Sequence, residues 1–152
     1  MGYHGSKVSI FAEGKMNIDL RGKTAIVTGG DGAIGTAICE RFAQTGCNVI
    51  IVGIDVEKGQ KLASELSQKY SIKSSQIYGD VTDKDSMIEM SKKAIADYGK
   101  IDFLINNAGI NVGNDRRKPI NEFAESDWKG IINVDLNGVF YCSRPIIDHM
   151  IQ

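Results

Sequence analysis

The eight residues TGGDGAIG (28–35) constrain the fold of this chain more than any other feature. They follow a short β-rich run, KTAIVTG (23–29), and lead into a helix-periodic segment, AIGTAICERFAQTG (33–46). Within them Gly30, Gly32 and Gly35 satisfy the spacing G-x-G-x-x-G. Glycines between a strand and a helix allow a sharp turn, close approach of the backbone to a pyrophosphate, and tight packing of helix on strand. The helix N-terminus adds free N–H donors and the positive end of a dipole. A carboxylate, Asp55, lies twenty residues past Gly35, the separation expected of an acid that binds a ribose hydroxyl. Strand, loop, helix and acid together predict a dinucleotide-binding turn.

Strand-like and helix-like segments alternate along the rest of the chain. In 33–46, Ile34, Ala37, Ile38 and Phe42 share one helical face and Gly46 stops the helix. NVIIVG (48–53) is continuously apolar, as for a strand buried on both faces of a parallel sheet. VEKGQKLASELSQKY (56–70) sets Leu62 and Leu66 one helical turn apart, and SQIYG (75–79) is a short strand. DKDSMIEMSKKAIADYG (83–99) opens on a capping Asp83, carries Met87, Ile88, Ala94, Ile95 and Tyr98 on one stripe, and closes on Gly99. IDFLINNAG (101–109) reads as a fourth strand. From Ser126 as N-cap, DWKGIINVDLNGVFYCSR (127–144) reads as one long helix, kinked near Pro145. Right-handed crossovers turn this order into an α/β fold, a Rossmann-type doubly wound parallel sheet of which the first half is visible. Residues 1–17 show no period and read as an N-terminal arm, and 18–152 as the NAD(P)-binding domain.

Composition narrows the partners. At 152 residues the chain suits one domain, and its 42% hydrophobic and 24% charged residues are ordinary for a globular protein. A net charge of −1 favours neither nucleic acid nor an anionic membrane surface. The apolar run VIIVGI (49–54) is far too short to span a bilayer, and His4, Lys7, Glu13 and Lys15 leave no signal-peptide core. MGYHGS fits a myristoylation pattern at Gly2, but no polybasic stretch supports it. Cys39, Cys47 and Cys142 have no C-x-x-C spacing, which favours reduced thiols and a cytoplasmic setting. His4 and His149 are scattered, so no metal site is expected.

Over residues 20–152 the chain resembles the short-chain dehydrogenase/reductase family. TGGDGAIG looks like the family's glycine loop, and GDV (79–81) like the segment whose Asp contacts adenine. NNAG (106–109) looks like the turn after the fourth strand, and DWKGIINVDLNGVF (127–140) like the helix that follows. Asn106 and Asn107 are suited to bond neighbouring backbone, while Ala108 and Gly109 let it pass close to a cofactor ribose. The resemblance implies cofactor contacts from Gly29, Gly30, Asp31, Gly32, Ile34, Gly35, Asp55, Asp80, Val81, Asn107, Ala108 and Gly109. It implies hydride transfer between a nicotinamide and a small alcohol or carbonyl substrate, and a homo-oligomer for the full-length protein.

Three departures qualify the resemblance. Ala33 stands where the family's loop has Gly, and the same eight residues read as T-G-x-x-G-x-x-G fit the extended branch of sugar-nucleotide epimerases and dehydratases; NNAG favours the dehydrogenase reading. Gly53 stands where NAD-preferring members end the second strand in Asp, and Ile54 where NADP-preferring members place Arg. Asp55 is two positions beyond the strand end, and Asp31 would repel a 2′-phosphate, so NAD is expected, with NADP possible. Asp135 occupies the position of the family's catalytic Asn, with Asn133 two residues earlier.

YHGSK (3–7) spells Tyr-x-x-x-Lys, the family's proton-transfer pair. It precedes the first strand, whereas the family's pair follows the fifth, so Tyr3 and Lys7 are not expected to be catalytic. Ser143 likewise reads as a helix residue rather than a catalytic hydroxyl. The 152 residues are therefore expected to be a cofactor-binding half, truncated before the catalytic region and inactive alone. A dinucleotide-binding module without catalysis is the alternative.

Overall fold

The sheet grows from a strand with no exposed face. β1 (Thr24–Thr28) is buried at all five positions, and β2 (Asn48–Gly53) at its four central ones. The computed structural model describes residues 18–151; the arm read over 1–17, with Tyr3 and Lys7, lies outside the described residues. After β1 come α1 (Ala33–Gln44), β2, α2 (Val56–Tyr70), β3 (Ser74–Tyr78), α3 (Lys84–Tyr98) and β4 (Phe103–Ile105). A single 3-10 turn at Asn114–Arg116 precedes α4 (Glu125–Ile132), a π-helical segment at Asn133–Asn137 and α5 (Gly138–Met150). Among the described residues the strands lie in the order β3-β2-β1-β4 and all pairs are parallel, with Ile26 opposite both Ile50 and Leu104.

Alternation within the apolar strands divides the core in two. Ile26, Ile50, Val52 and Ile77 pack with Met87, Met90 and Ala94 of α3 and Cys142 and Ile146 of α5. Val27, Val49 and Ile51 point the other way, onto Cys39 and Ala43 of α1 and Ala63 and Leu66 of α2. Both sheet faces are covered by helices, as all-parallel sheets require. This is the expected doubly wound α/β architecture. The chain steps from β1 to β3 in one direction, then crosses to place β4 on the far side of β1. The reversal opens a crevice at the C-terminal ends of β1 and β4.

The structure corrects four local readings. On α1, Gly35, Cys39 and Ala43 form the buried line, while Ile34 is 73% exposed. Small residues let the helix axis approach the sheet, and that close approach outweighs the apolar stripe; Ile38 and Phe42 pack only at its margin. The strand read over 101–109 contracts to Phe103–Ile105, because from Asn106 onward the chain turns its polar groups to other loops. The helix read from Ser126 as N-cap starts two residues earlier, with Ala124 as N-cap and its carbonyl accepting from Trp128 N–H at 3.1 Å. Glu125 and Asp127 suit the positive end of its dipole. The one long helix read from Ser126 is interrupted by the π segment, and α5 carries Pro145 in its interior. The wider turn falls where Asp135 bonds the loop after β4 and Gly138 packs on Val81.

No helix among the described residues is long and apolar enough to cross a membrane. Nor is any group of three or more His, Cys, Asp or Glu among them placed to hold a metal ion.

Candidate functional site

The loops at the C-terminal ends of the strands enclose a cleft. Gly29 and Asp31 line it from the β1–α1 loop, Gly53 and Ile54 from the end of β2, and Gly79, Asp80, Val81 and Thr82 from the loop after β3. Ala108, Gly109 and Ile110 close it from the loop after β4, with Val134 from the π segment. This is the place where open α/β sheets bind ligands, at the reversal of strand order.

Two glycines shape the loop. Gly29 has φ +59°, and a Cβ there would lie 3.0 Å from Ala108 Cα. A Cβ on Gly35 would run into the Gly29 carbonyl oxygen and stand 2.7 Å from Gly30 Cα, so the first turn of α1 is pressed onto the loop that feeds it. Gly32 is the N-cap and offers no side-chain cap; Thr36 N–H reaches its carbonyl at 2.8 Å. Within the described residues the N–H groups of Ala33, Ile34 and Gly35 meet no backbone carbonyl. Unspent donors at a helix N-terminus, beside a backbone stripped of side chains, fit an anionic pyrophosphate.

The NNAG turn is sewn to this loop through Thr28. Thr28 Oγ1 accepts from the N–H groups of Asn107 and Ala108, each at 3.0 Å. Asn107 Nδ2 donates to the carbonyls of Thr28 (2.9 Å) and Gly29 (3.1 Å). Asn107 thus spends its amide on the loop and holds Ala108 and Gly109 against the cleft. Asn106 turns away, donating to Ser143 Oγ on α5 at 3.1 Å, which gives Ser143 a packing role.

The four carboxylates named from sequence fall in different places. Asp80 lines the cleft, with Oδ1 accepting from Thr82 N–H (2.9 Å) and Thr82 Oγ1 (2.7 Å). Asp31 lines it as well, beside Gly53. Asp55 caps α2, its Oδ1 accepting from Lys58 N–H at 3.0 Å, and is not among the lining residues. Asp135 sits on the exposed side of the π segment, Oδ1 accepting from Ile110 N–H at 2.9 Å. Val81 lines the cleft, buried under Gly138, whereas Ile34 is exposed on the first turn of α1 and is not among the lining residues. Beneath the loop, burial and then the charge of Asp31 push the Cys39 thiol up to about 12, so it packs and does not react. Arg116, in the loop after β4, pairs with Asp127 at 2.5 Å.

Thr82, Ile110 and Val134 carry no mark in the sequence, nor does Thr28, and Gly53 and Ile54 stand out there only as departures at the strand end, not as cleft residues. Ile54 and Ile110, at 68% and 50% exposure, form an apolar rim. A large apolar residue directly after a strand end was the available signal for Ile54; none existed for Thr28, whose partners lie 79 and 80 residues away.

The profile of the short chain dehydrogenase family matches residues 23–152. A 3-oxoacyl acyl-carrier-protein reductase of Chlamydia muridarum is 37% identical over 137 residues, covering 90% of this chain and 54% of that protein. An alcohol dehydrogenase of the archaeon Thermococcus sibiricus, solved with 5-hydroxy-NADP, superposes with a TM-score of 0.79 at 29% identity over 84% of this chain and 53% of that one. An NAD+-bound xylitol dehydrogenase superposes with a TM-score of 0.80 at 27% identity over 86% of this chain and 49% of that one. The chain spans about half the length of the curated relatives it matches.

Proposed function

The chain belongs to the short chain dehydrogenase family, and from that premise we propose that it is the dinucleotide-binding part of an NAD(P)-dependent oxidoreductase acting on an alcohol/carbonyl pair. The observation that carries this reading is the uncapped start of α1, pressed onto the glycine loop and facing the turn held by Asn107. A nicotinamide cofactor supplies the hydride acceptor or donor when bound. The N–H groups of Ala33 to Gly35 receive its pyrophosphate, with Gly29, Gly30 and Gly32 giving way to it. Asp80 and Val81 flank the adenosine side, and Ala108 and Gly109 leave room for a ribose. Asp135 steadies that wall through Ile110.

NAD is the preferred form in this reading. No Lys or Arg lines the cleft among the described residues, while Asp31 does. A 2′-phosphate would therefore meet a carboxylate and no countercharge.

The 152 residues alone have no turnover in this reading. Asp31, Asp80 and Thr82 supply the polar side chains of the cleft, and Thr82 is already bonded to Asp80. The sole Tyr-x-x-x-Lys of the sequence is 3–7, ahead of β1. A positioned acid or base contributes roughly 10²–10⁴-fold, and none of the cleft groups is suited to that task.

Titration of the chain with NADH and NADPH, read by nicotinamide fluorescence, tests binding; failure of both to bind would end the dinucleotide reading. Incubation with NAD and a panel of polyols, steroids and hydroxy acids should give no NADH, and turnover on any of them would overturn the assignment of the proton-transfer groups.

A further inference from the structure

β2 ends in a glycine, at the place from which the acid of a dinucleotide site ordinarily reaches the ribose. A Cβ built on Gly53 falls 2.5 Å from Asp31 Oδ1, 3.2 Å from its Cγ and 3.5 Å from its Oδ2. The loop carboxylate already stands in the volume that any other residue at the strand end would fill. Both residues line the cleft. None of the hydrogen bonds among the described residues engages the Asp31 carboxylate, whereas Asp55, the acid at the expected spacing, is committed to capping α2.

We propose that Gly53 and Asp31 form one cofactor-selecting unit, in which the missing strand-end side chain seats a carboxylate delivered by the glycine loop. From that seat the carboxylate accepts from an adenosine ribose hydroxyl and repels a phosphate in its place. The inference deepens the dinucleotide reading above and rests on it. It makes an uncharged residue a determinant of charge selectivity.

Gly53→Ala isolates the effect. The φ of Gly53 is not in the left-handed region, and its three nearest neighbours all belong to the free end of one flexible side chain. The methyl is accommodated by moving the Asp31 carboxylate, so the fold keeps or gains thermal stability while the selecting charge is displaced.

The test measures the dissociation constants of NADH and NADPH for the 152-residue chain, Asp31→Asn, Gly53→Ala and the double variant, with Gly130→Ala in α4 as control and a thermal melt of each. The parent should favour NADH. Asp31→Asn should lower the NADPH/NADH ratio of dissociation constants by about tenfold, the scale of losing one close charge–charge repulsion near a protein surface. Gly53→Ala should lower it by about threefold or more, and the double variant should match Asp31→Asn, because the methyl acts only through the carboxylate. Exchanging the pair (Asp31→Gly with Gly53→Asp) should restore the preference, and decides the matter if Gly53→Ala melts without cooperativity. Binding of both cofactors with a ratio indifferent to Gly53→Ala, or additive effects, overturns this inference alone. Tighter NADPH binding by the parent does the same. Failure of the parent to bind either cofactor overturns the dinucleotide reading with it.

Discussion

Thr28 and Asn107 hold each other in both directions. The Asn107 N–H donates to Thr28 Oγ1 at 3.0 Å, and Asn107 Nδ2 returns to the Thr28 carbonyl at 2.9 Å. The β1–β4 pairing ends at Val27 and Ile105, so these bonds carry the contact past the last rung of the sheet. The crevice needs such a tie, because its two walls come from loops 79 residues apart in sequence.

Asn107→Ala removes the donations to the Thr28 and Gly29 carbonyls, the latter keeping its bond from Gly32 N–H, and should cost about 1–3 kcal/mol, the scale of losing two part-buried hydrogen bonds. Asn107→Asp should cost more at neutral pH, because a carboxylate oxygen would face those same carbonyl oxygens. Urea denaturation of the three proteins checks the order. An Asp variant as stable as the parent would mean the amide is not the clasp.

Gly35→Ala and Gly130→Ala should move stability in opposite directions. At Gly35 the methyl strikes the Gly29 carbonyl, backbone that cannot yield without unseating the loop, so a loss of about 1–3 kcal/mol or more is expected, with loss of NADH binding. Gly130 lies inside α4 with nothing within 4 Å of its added Cβ, and alanine there should gain about 0.5–1 kcal/mol. Melting temperatures in parallel settle both signs.

The difference between those glycines marks how far sequence could reach. The β1–α1 turn and the buried β2 were legible because each is encoded in consecutive residues, by glycine spacing or by an unbroken apolar run. The inward face of α1 was not, since Gly35, Cys39 and Ala43 win their places by being small rather than apolar. The length of β4 depended on where Asn106 and Asn107 find partners, one on α5 and one on β1. The seat of Asp31 was hidden for a related reason: Gly53 read as an acid that was missing, and only the packed loops put another acid in its volume.

Asp102 should make stability fall in acid. Burial alone would raise its pKa, but the Lys23 bond, the Thr24 N–H and the charges of Lys23 and Lys100 together hold it below the ordinary value. A depressed pKa contributes stability above the unfolded value of roughly 3.9, lost as pH falls through the folded one. Asp102→Asn should therefore be less stable than the parent at pH 7, with the gap closing below about pH 4. Denaturation midpoints of the two proteins across that range provide the check, and a gap that widens in acid would refute it.

The cysteines should be silent in the native state. Burial pushes the thiols of Cys39 and Cys142 up to about 12 and that of Cys47 up to about 11. Thiolate, the reactive form, is scarce at pH 8 and shielded as well. A disulfide reagent should label no thiol of the folded chain within minutes and all 3 in denaturant. Rapid labelling of any of them without denaturant would show that its site opens.

Asp135 should act through one oxygen and not through its charge. Its Oδ1 accepts from Ile110 N–H at 2.9 Å, and a Cβ on the neighbouring Gly109 would stand only 3.4 Å from the same atom. The carboxylate thus pins the loop that forms one wall of the cleft. An asparagine offers a carbonyl oxygen to the same N–H, so Asp135→Asn should keep the loop and bind NADH about as the parent does. Asp135→Ala leaves Ile110 N–H to water, which at this half-exposed site should cost only about 0.5–1.5 kcal/mol of stability. Its larger effect should be on the wall: NADH affinity weakened several-fold, with the melting temperature lowered by only about 1–6 °C. Fluorescence titrations alongside thermal melts separate the two readouts. Equal loss in Asp135→Asn and Asp135→Ala would assign the effect to charge, and an unaltered affinity in Asp135→Ala would show that the loop holds its place without the pin.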